Sequence, residues 1–239
     1  MIMVDALVKV FLIISTFVAV TKADDKVSVF LAYESQWPGC QSFTTGPLKR
    51  VLEKPGMPDI INLEVVPYGN TAYDSSTDSF TCQHGDGECQ SDTLESCVMF
   101  ELNGKNSDNM FAAQSYNAWP FILCMEEAEG NPTQGESCYT NSMLNANATS
   151  IEWSTISDCA INNANTVQTA AMKATPDHDY VPWVLVNGNV VENSNALQKA
   201  ICDAYTGSNP PLICQHMTKE NYLEEQFEIS HCKNNMKQA

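Results

Sequence analysis

The chain has 239 residues, a formal net charge of -17 at pH 7 and ten cysteines. Its 29 acidic side chains outnumber 12 basic ones, and no basic cluster offsets them, so nucleic-acid backbones and anionic lipid surfaces are excluded as partners. No G-x-S-x-G, P-loop or H-E-x-x-H run occurs, which leaves hydrolase, nucleotide and zincin chemistry without a signal.

Lys9 precedes an apolar run from Val10 to Val20, and Thr21-Lys22-Ala23 offers a small residue for cleavage. Residues 1–23 read as a secretory signal peptide, too short at roughly eleven apolar residues to span a membrane. No later segment approaches the ~18 uninterrupted apolar residues that a spanning helix needs, so no membrane partner is expected. The mature chain is expected to begin near Asp24 and to fold in an oxidising lumen. There, cysteines become disulfide partners in preference to zinc ligands. Asn147-Ala148-Thr149 is a glycosylation sequon that suits the same route. The destination is either secretion or the endosomal or lysosomal lumen, and composition does not choose between them.

Val27 to Tyr33 is rich in strand formers and reads as a buried strand. Trp37-Pro38-Gly39-Cys40 turns the chain into a helix running toward Lys54, with a kink expected at Gly46-Pro47. Ile60 to Val66 is a second strand, closed by Pro67-Tyr68-Gly69-Asn70. Strand, helix and strand joined by a short crossover give parallel pairing. From about 71 to 175 the chain is rich in Asn, Ser and Gln and holds six of the ten cysteines. Helical periodicity from Glu88 to Leu102 and from Ile151 to Ala174 predicts a disulfide-held helical lobe. Val181 to Val186 then leads through Asn187-Gly188-Asn189 into Val190-Val191-Glu192, a strong hairpin signal. Asn195 to Tyr205 reads as an amphipathic helix with Asn195 as its cap. Residues 217–239 form a polar, loosely held tail.

This order predicts an α/β, thioredoxin-like fold with an inserted disulfide-rich helical lobe, the whole domain covering 24–216. That fold keeps its redox centre in the turn after the first strand. It sets a cis proline opposite, and Val181-Pro182 is the dipeptide in that place, although only about 5–6% of X-Pro bonds are cis.

Cys82 to Cys97, C-Q-H-G-D-G-E-C-Q-S-D-T-L-E-S-C, is the densest run of chemistry-bearing residues. Together with the flanking segments it resembles the gamma-interferon-inducible lysosomal thiol reductase (GILT) family. The family hallmark is C-Q-H-G, two residues, E-C, two residues, N, four residues, C. Cys82, Gln83, His84, Gly85, Glu88, Cys89 and Cys97 match it at every spacing, while Asp92 stands where the family carries asparagine. Pro67 to Asn70, Val181-Pro182-Trp183 and Asn187-Gly188 resemble other family segments.

The resemblance implies thiol–disulfide exchange on protein or peptide substrates with disulfides, and no cofactor or metal. Family members also carry Cys-x-x-Cys after the first strand. Here Trp37 occupies the position of the first cysteine, and only the second remains, as Cys40. In such a pair the first thiol attacks as thiolate and the second resolves the mixed disulfide. An indole has no ionisable nucleophile. Little or no dithiol reductase activity is therefore expected. Cys40 keeps three options: a thiol trap, a buried inert thiol or a structural disulfide. A non-catalytic peptide-binding module is the alternative function, with Trp37 extending an apolar groove beside Pro182 and Trp183.

The disulfide candidates are Cys82, Cys89, Cys97, Cys124, Cys138, Cys159, Cys202 and Cys214. Cys89 and Cys97 sit about two helical turns apart, too far to bond each other. Each is expected to pair outward, with Cys124, Cys138 or Cys159. Zinc held by His84 and neighbouring sulfurs is disfavoured in an oxidising lumen, and His84 is expected to hydrogen-bond Glu88. By parity, either Cys40 pairs or another cysteine such as Cys232 is left over, free or linking two chains as a dimer.

Overall fold

A computed structural model describes residues 26–104, 110–113, 117–144 and 149–216. The signal peptide, Asn147 and the tail with Cys232 lie outside the described residues.

In chain order the elements are β1 (Val27–Tyr33), α1 (Pro38–Phe43), α2 (Lys49–Leu52), α3 (Met57–Ile60), β2 (Ile61–Pro67), β3 (Ala72–Asp74) and β4 (Ser79–Thr81). There follow α4 (Asp86–Asn103), α5 (Trp119–Glu127), α6 (Gly135–Tyr139), α7 (Trp153–Asn162) and α8 (Ala164–Ala174). The chain closes with β5 (Trp183–Val186), β6 (Asn189–Val190), α9 (Leu197–Ala204) and α10 (Leu212–Gln215).

The main sheet has the order β2-β1-β5-β6. β1 and β2 pair in parallel from Val27–Ile61 to Tyr33–Pro67, whereas β5 runs antiparallel to β1. Val27, Val29, Leu31 and Tyr33 are buried against Ile61, Leu63 and Val65, the apolar burial that fixes this register. α9 packs against β1 and β5, and α4 and α8 pack against β2. A parallel first pair, an antiparallel third strand and a closing hairpin and helix form the thioredoxin-like fold, with α4 to α8 inserted between β2 and β5.

The turn between β5 and β6 places Asn187 and Gly188 at φ 47° and 78°. These are the positive values that a two-residue hairpin turn requires. Asn187 Oδ1 also accepts the Ser28 N–H at 2.8 Å, tying the turn back to β1.

Four details differ from the sequence expectations. The helix expected to kink at Gly46-Pro47 instead widens into a π turn over Thr44–Leu48, absorbing a proline that cannot donate. The expected Ile151–Ala174 helix is two helices, broken at Asn163 with φ -124°. Asn195 does not cap the last long helix: α9 starts at Leu197 behind a 3₁₀ turn over Ser194–Ala196, and Asn193 caps that turn. The Asn193 Oδ1 accepts the Asn195 N–H at 3.0 Å. Finally, the lobe contains the exposed β3–β4 hairpin, which carries Tyr73 against Phe80 at 4.9 Å between ring centres.

Among the described residues there are four disulfides: Cys82–Cys89, Cys97–Cys159, Cys124–Cys138 and Cys202–Cys214. Three lie in the inserted lobe, where Cys97–Cys159 ties α4 to α7. Closing its 62-residue loop contributes roughly 4 kcal/mol in the chain-entropy picture. Cys202–Cys214 ties α9 to α10.

Candidate active site

The site begins where β1 ends. Glu34, Ser35 and Gln36 leave the sheet and deliver Trp37 to the N-cap of α1, with Pro38 in the first helical position. The Trp37 carbonyl accepts the Cys40 N–H at 2.9 Å and the Gln41 N–H at 3.1 Å. The indole is 41% exposed and lies over Gly39, where a Cβ would stand 2.6 Å from Nε1. It also stacks on the imidazole of His84 at 5.5 Å between ring centres.

Cys40 points the other way. It is completely buried and, among the described residues, is the one cysteine outside a disulfide. Burial pushes its thiol far above the ordinary range; the Glu34 N–H, 3.4 Å from Sγ, opposes the rise, and the carboxylates of Glu126, Glu34 and Asp92 add to it. Cys40 is therefore a protonated, inaccessible thiol and has little nucleophilic character. The Val181–Pro182 peptide is cis and directly precedes the Ala32–Trp183 pair. Pro182 thus sits beside the end of β1, where the turn to Cys40 starts.

The C-Q-H-G run meets this turn from the other side. Cys89 bonds Cys82 rather than Cys124, Cys138 or Cys159, because Cys82 precedes the helix and is not bound by helical spacing. Gly85, at φ 91°, reverses the chain so that the segment folds back onto the first turns of α4. Gln83 Oε1 accepts from Asn70 Nδ2 at 3.4 Å. His84 makes two contacts with Glu88: Nδ1 lies 2.6 Å from Oε2, and the backbone N–H donates to Oε1 at 3.0 Å. A second carboxylate, Glu34, places Oε2 3.5 Å from the same Nδ1. Glu34 Oε1 takes both the N–H and the Nδ2 of Asn70 at 2.7 Å.

Beneath the pair lies an acidic core that the sequence reading did not anticipate. Glu88, Asp92 and Glu95 follow one another down a single face of α4, and all three are fully buried beside Glu34 and Glu126. Asp92 Oδ1 accepts the Ser35 N–H at 3.2 Å, so α4 holds the turn after β1 directly. The Tyr33 hydroxyl donates to Glu95 Oε2, and Ser91 Oγ donates to Oε1 at 3.3 Å. Desolvation raises the pKa of Glu95 to about 8 and drives those of Asp92 and Glu126 well upward. Neither oxygen of Glu126 has a hydrogen-bond partner among the described residues. One signal was available: positions 88, 92 and 95 share a helical face with Ser91 and Ser96 nearby. Carboxylates at that spacing normally mark the solvated side.

Comparison with known proteins fits this geometry. A profile described as "Gamma interferon inducible lysosomal thiol reductase (GILT)" matches residues 28–142. The gamma-interferon-inducible lysosomal thiol reductase of Carassius auratus is 30% identical over 207 residues, covering 81% of this chain and 74% of the relative. That of Mus musculus is 31% identical over 201 residues, covering 79% and 71%. Among solved structures, oxidised BdbD from Bacillus subtilis aligns over 74% of this chain and 84% of its own, with TM-score 0.47 and 14% identity. With about 30% identity to these relatives over some four-fifths of its length, and the cysteine–histidine–glutamate run folded against the end of β1, the chain belongs to the gamma-interferon-inducible lysosomal thiol reductase family.

Proposed function

We propose that this chain is a thiol–disulfide oxidoreductase homologue whose own reductase centre is incomplete, with weak or no turnover of protein disulfides. One observation carries the reading. The exposed first position of the active-site turn holds Trp37, while the only thiol behind it, Cys40, is buried and protonated. Disulfide reduction needs an accessible thiolate to attack and a second thiol to release the product. Cys40 retains the resolving position alone, and its burial weighs against service as a thiol trap.

The reading takes residues 24–216 as the working domain, with the lobe at about 71–175 inserted in it and 217–239 as a tail. It assigns the chain to the secretory route, ending outside the cell or in the endosomal or lysosomal lumen. Four disulfides and the leader-like N-terminus support that route. Protein or peptide disulfides are the substrate class of the parent chemistry. Non-catalytic protein or peptide binding at the same face is the second reading. The exposed Trp37 and the exposed Tyr180, two residues before cis Pro182, favour it.

Restoring the sulfur tests the assignment. Trp37→Cys places a thiol one helical turn from Cys40, and insulin reduction with excess small-molecule reductant should rise at least about a hundredfold over the parent. Equal rates in the two proteins contradict the placement of the defect at position 37.

A further inference from the structure

We propose that Glu34, His84 and Glu88 form a binding site for a divalent transition-metal ion, zinc foremost, between the end of β1 and the first turn of α4. One ligand atom from each residue lies within 4.8 Å of the other two. Tetrahedral zinc bound through nitrogen and oxygen holds its ligand atoms about 3.4 Å apart. His84 Nδ1 and Glu34 Oε2 already stand at 3.5 Å. Glu88 Oε2, at 2.6 Å from Nδ1, has to withdraw by less than an ångström. On binding, zinc takes the place of the proton shared between Nδ1 and Glu88 Oε2, and that proton leaves to solvent.

A second, independent observation points to a ligand. Glu34 is fully buried; its Oε1 is saturated by Asn70, yet its Oε2 has no hydrogen-bond partner and faces His84. An ionised carboxylate oxygen buried without a donor is costly, and a cation supplies the missing interaction. Two carboxylates and a neutral imidazole match a divalent charge. The nitrogen donor selects the zinc class over calcium and magnesium.

The scaffold fixes the three residues in place. The Cys82–Cys89 bond and the turn at Gly85 hold His84 against Glu88. Gly69 packs so tightly on Glu34 that a Cβ there would stand 2.4 Å from Cγ. Asn70 orients Glu34 from behind, as outer partners orient metal-binding carboxylates. Both nearby sulfurs are bonded to each other, so the ligand set contains none. The His84 side chain is 28% exposed and gives an ion its path from solvent.

The test uses the full disulfide-bonded protein, freed of metal and titrated with zinc at pH 7 by calorimetry. One zinc per chain is expected, with X-ray absorption showing one imidazole nitrogen, oxygen ligands and no sulfur. His84→Ala should weaken binding by more than about a hundredfold, beyond the loss that outer partners alone produce. Glu34→Gln should do the same in protein whose melting profile shows it folded; His84 is exposed, so His84→Ala decides the matter if Glu34→Gln fails to fold. No zinc uptake overturns the site, leaving an imidazole hydrogen-bonded to Glu88 with the Glu34 carboxylate alongside. Uptake unchanged by His84→Ala, or a sulfur in the coordination shell, equally overturns it.

Discussion

Asp92 is fully buried on α4, with Oδ1 on the Ser35 N–H and Oδ2 without a partner. Burial raises its pKa most, the nearby Glu95 adds to the rise, and the bonds from Ser35 only partly offset it. A neutral carboxylic acid here has nearly the shape and polarity of the amide that the family pattern carries, which explains how the position tolerates the change. Asp92, Glu95 and Glu126 all hold protons in the folded chain that the unfolded chain releases near pH 4. Their contribution to stability is therefore full in acid and declines as pH rises from about 4 through the raised folded-state values, which for Glu95 means about 8. Asp92→Asn removes one of these contributions. Its melting temperature at pH 7 should exceed the parent's by a few degrees, on the scale of ~1–2 kcal/mol, and the two should converge near pH 4. A variant less stable than the parent at pH 7 contradicts this account of the site. The exchange of asparagine for Asp92 was legible in the sequence, but its burial was not, because a carboxylate reads as a solvent-facing group until its neighbours are known.

At the scale of elements, local pattern and the parallel pairing of β1 with β2 were read well, and the disulfide partner of Cys89 was not. β1 runs over Val27–Tyr33 because seven strand formers follow one another there, and Asn187-Gly188 announced its hairpin through turn chemistry. The β3–β4 hairpin was hidden because its strands are three residues each and mostly exposed, leaving no apolar alternation to read. Cys82–Cys89 was missed because every partner named for Cys89 lay downstream of it, while Cys82 stands just before the helix and folds back on it. Gly130 shows how distant elements fix the active-site turn. Its φ is 61°, its carbonyl accepts from Gln36 Nε2 at 2.9 Å, and a Cβ would lie 2.3 Å from the Ser35 carbonyl oxygen. Gly130→Ala should cost roughly 2–4 kcal/mol in urea unfolding, since both backbone conformation and contact oppose it. Gly188→Ala has a similar φ but open space around it, so about 1 kcal/mol is expected there. Equal costs at the two positions would remove the contact with Ser35 from the explanation.

For the whole molecule, the thioredoxin-like order followed from the sequence because β1, β2 and β5 are locally apolar and the β1–β2 crossover is short. The inserted lobe hid its internal arrangement, since α4 mixes buried apolar residues such as Val98 and Phe100 with buried acids, and its disulfide pairings leave no periodic trace. What the fold does with its site turns on one exposed position, where Trp37 stacks on His84 while Cys40 stays sealed beneath. Turnover of insulin disulfides by the unaltered chain, at pH 4.5 and pH 7 with excess reductant, asks this directly. The rate should match the reductant-only background at both values. Catalysis comparable to a family member with both cysteines would contradict the incomplete centre and require an attacking group other than Cys40.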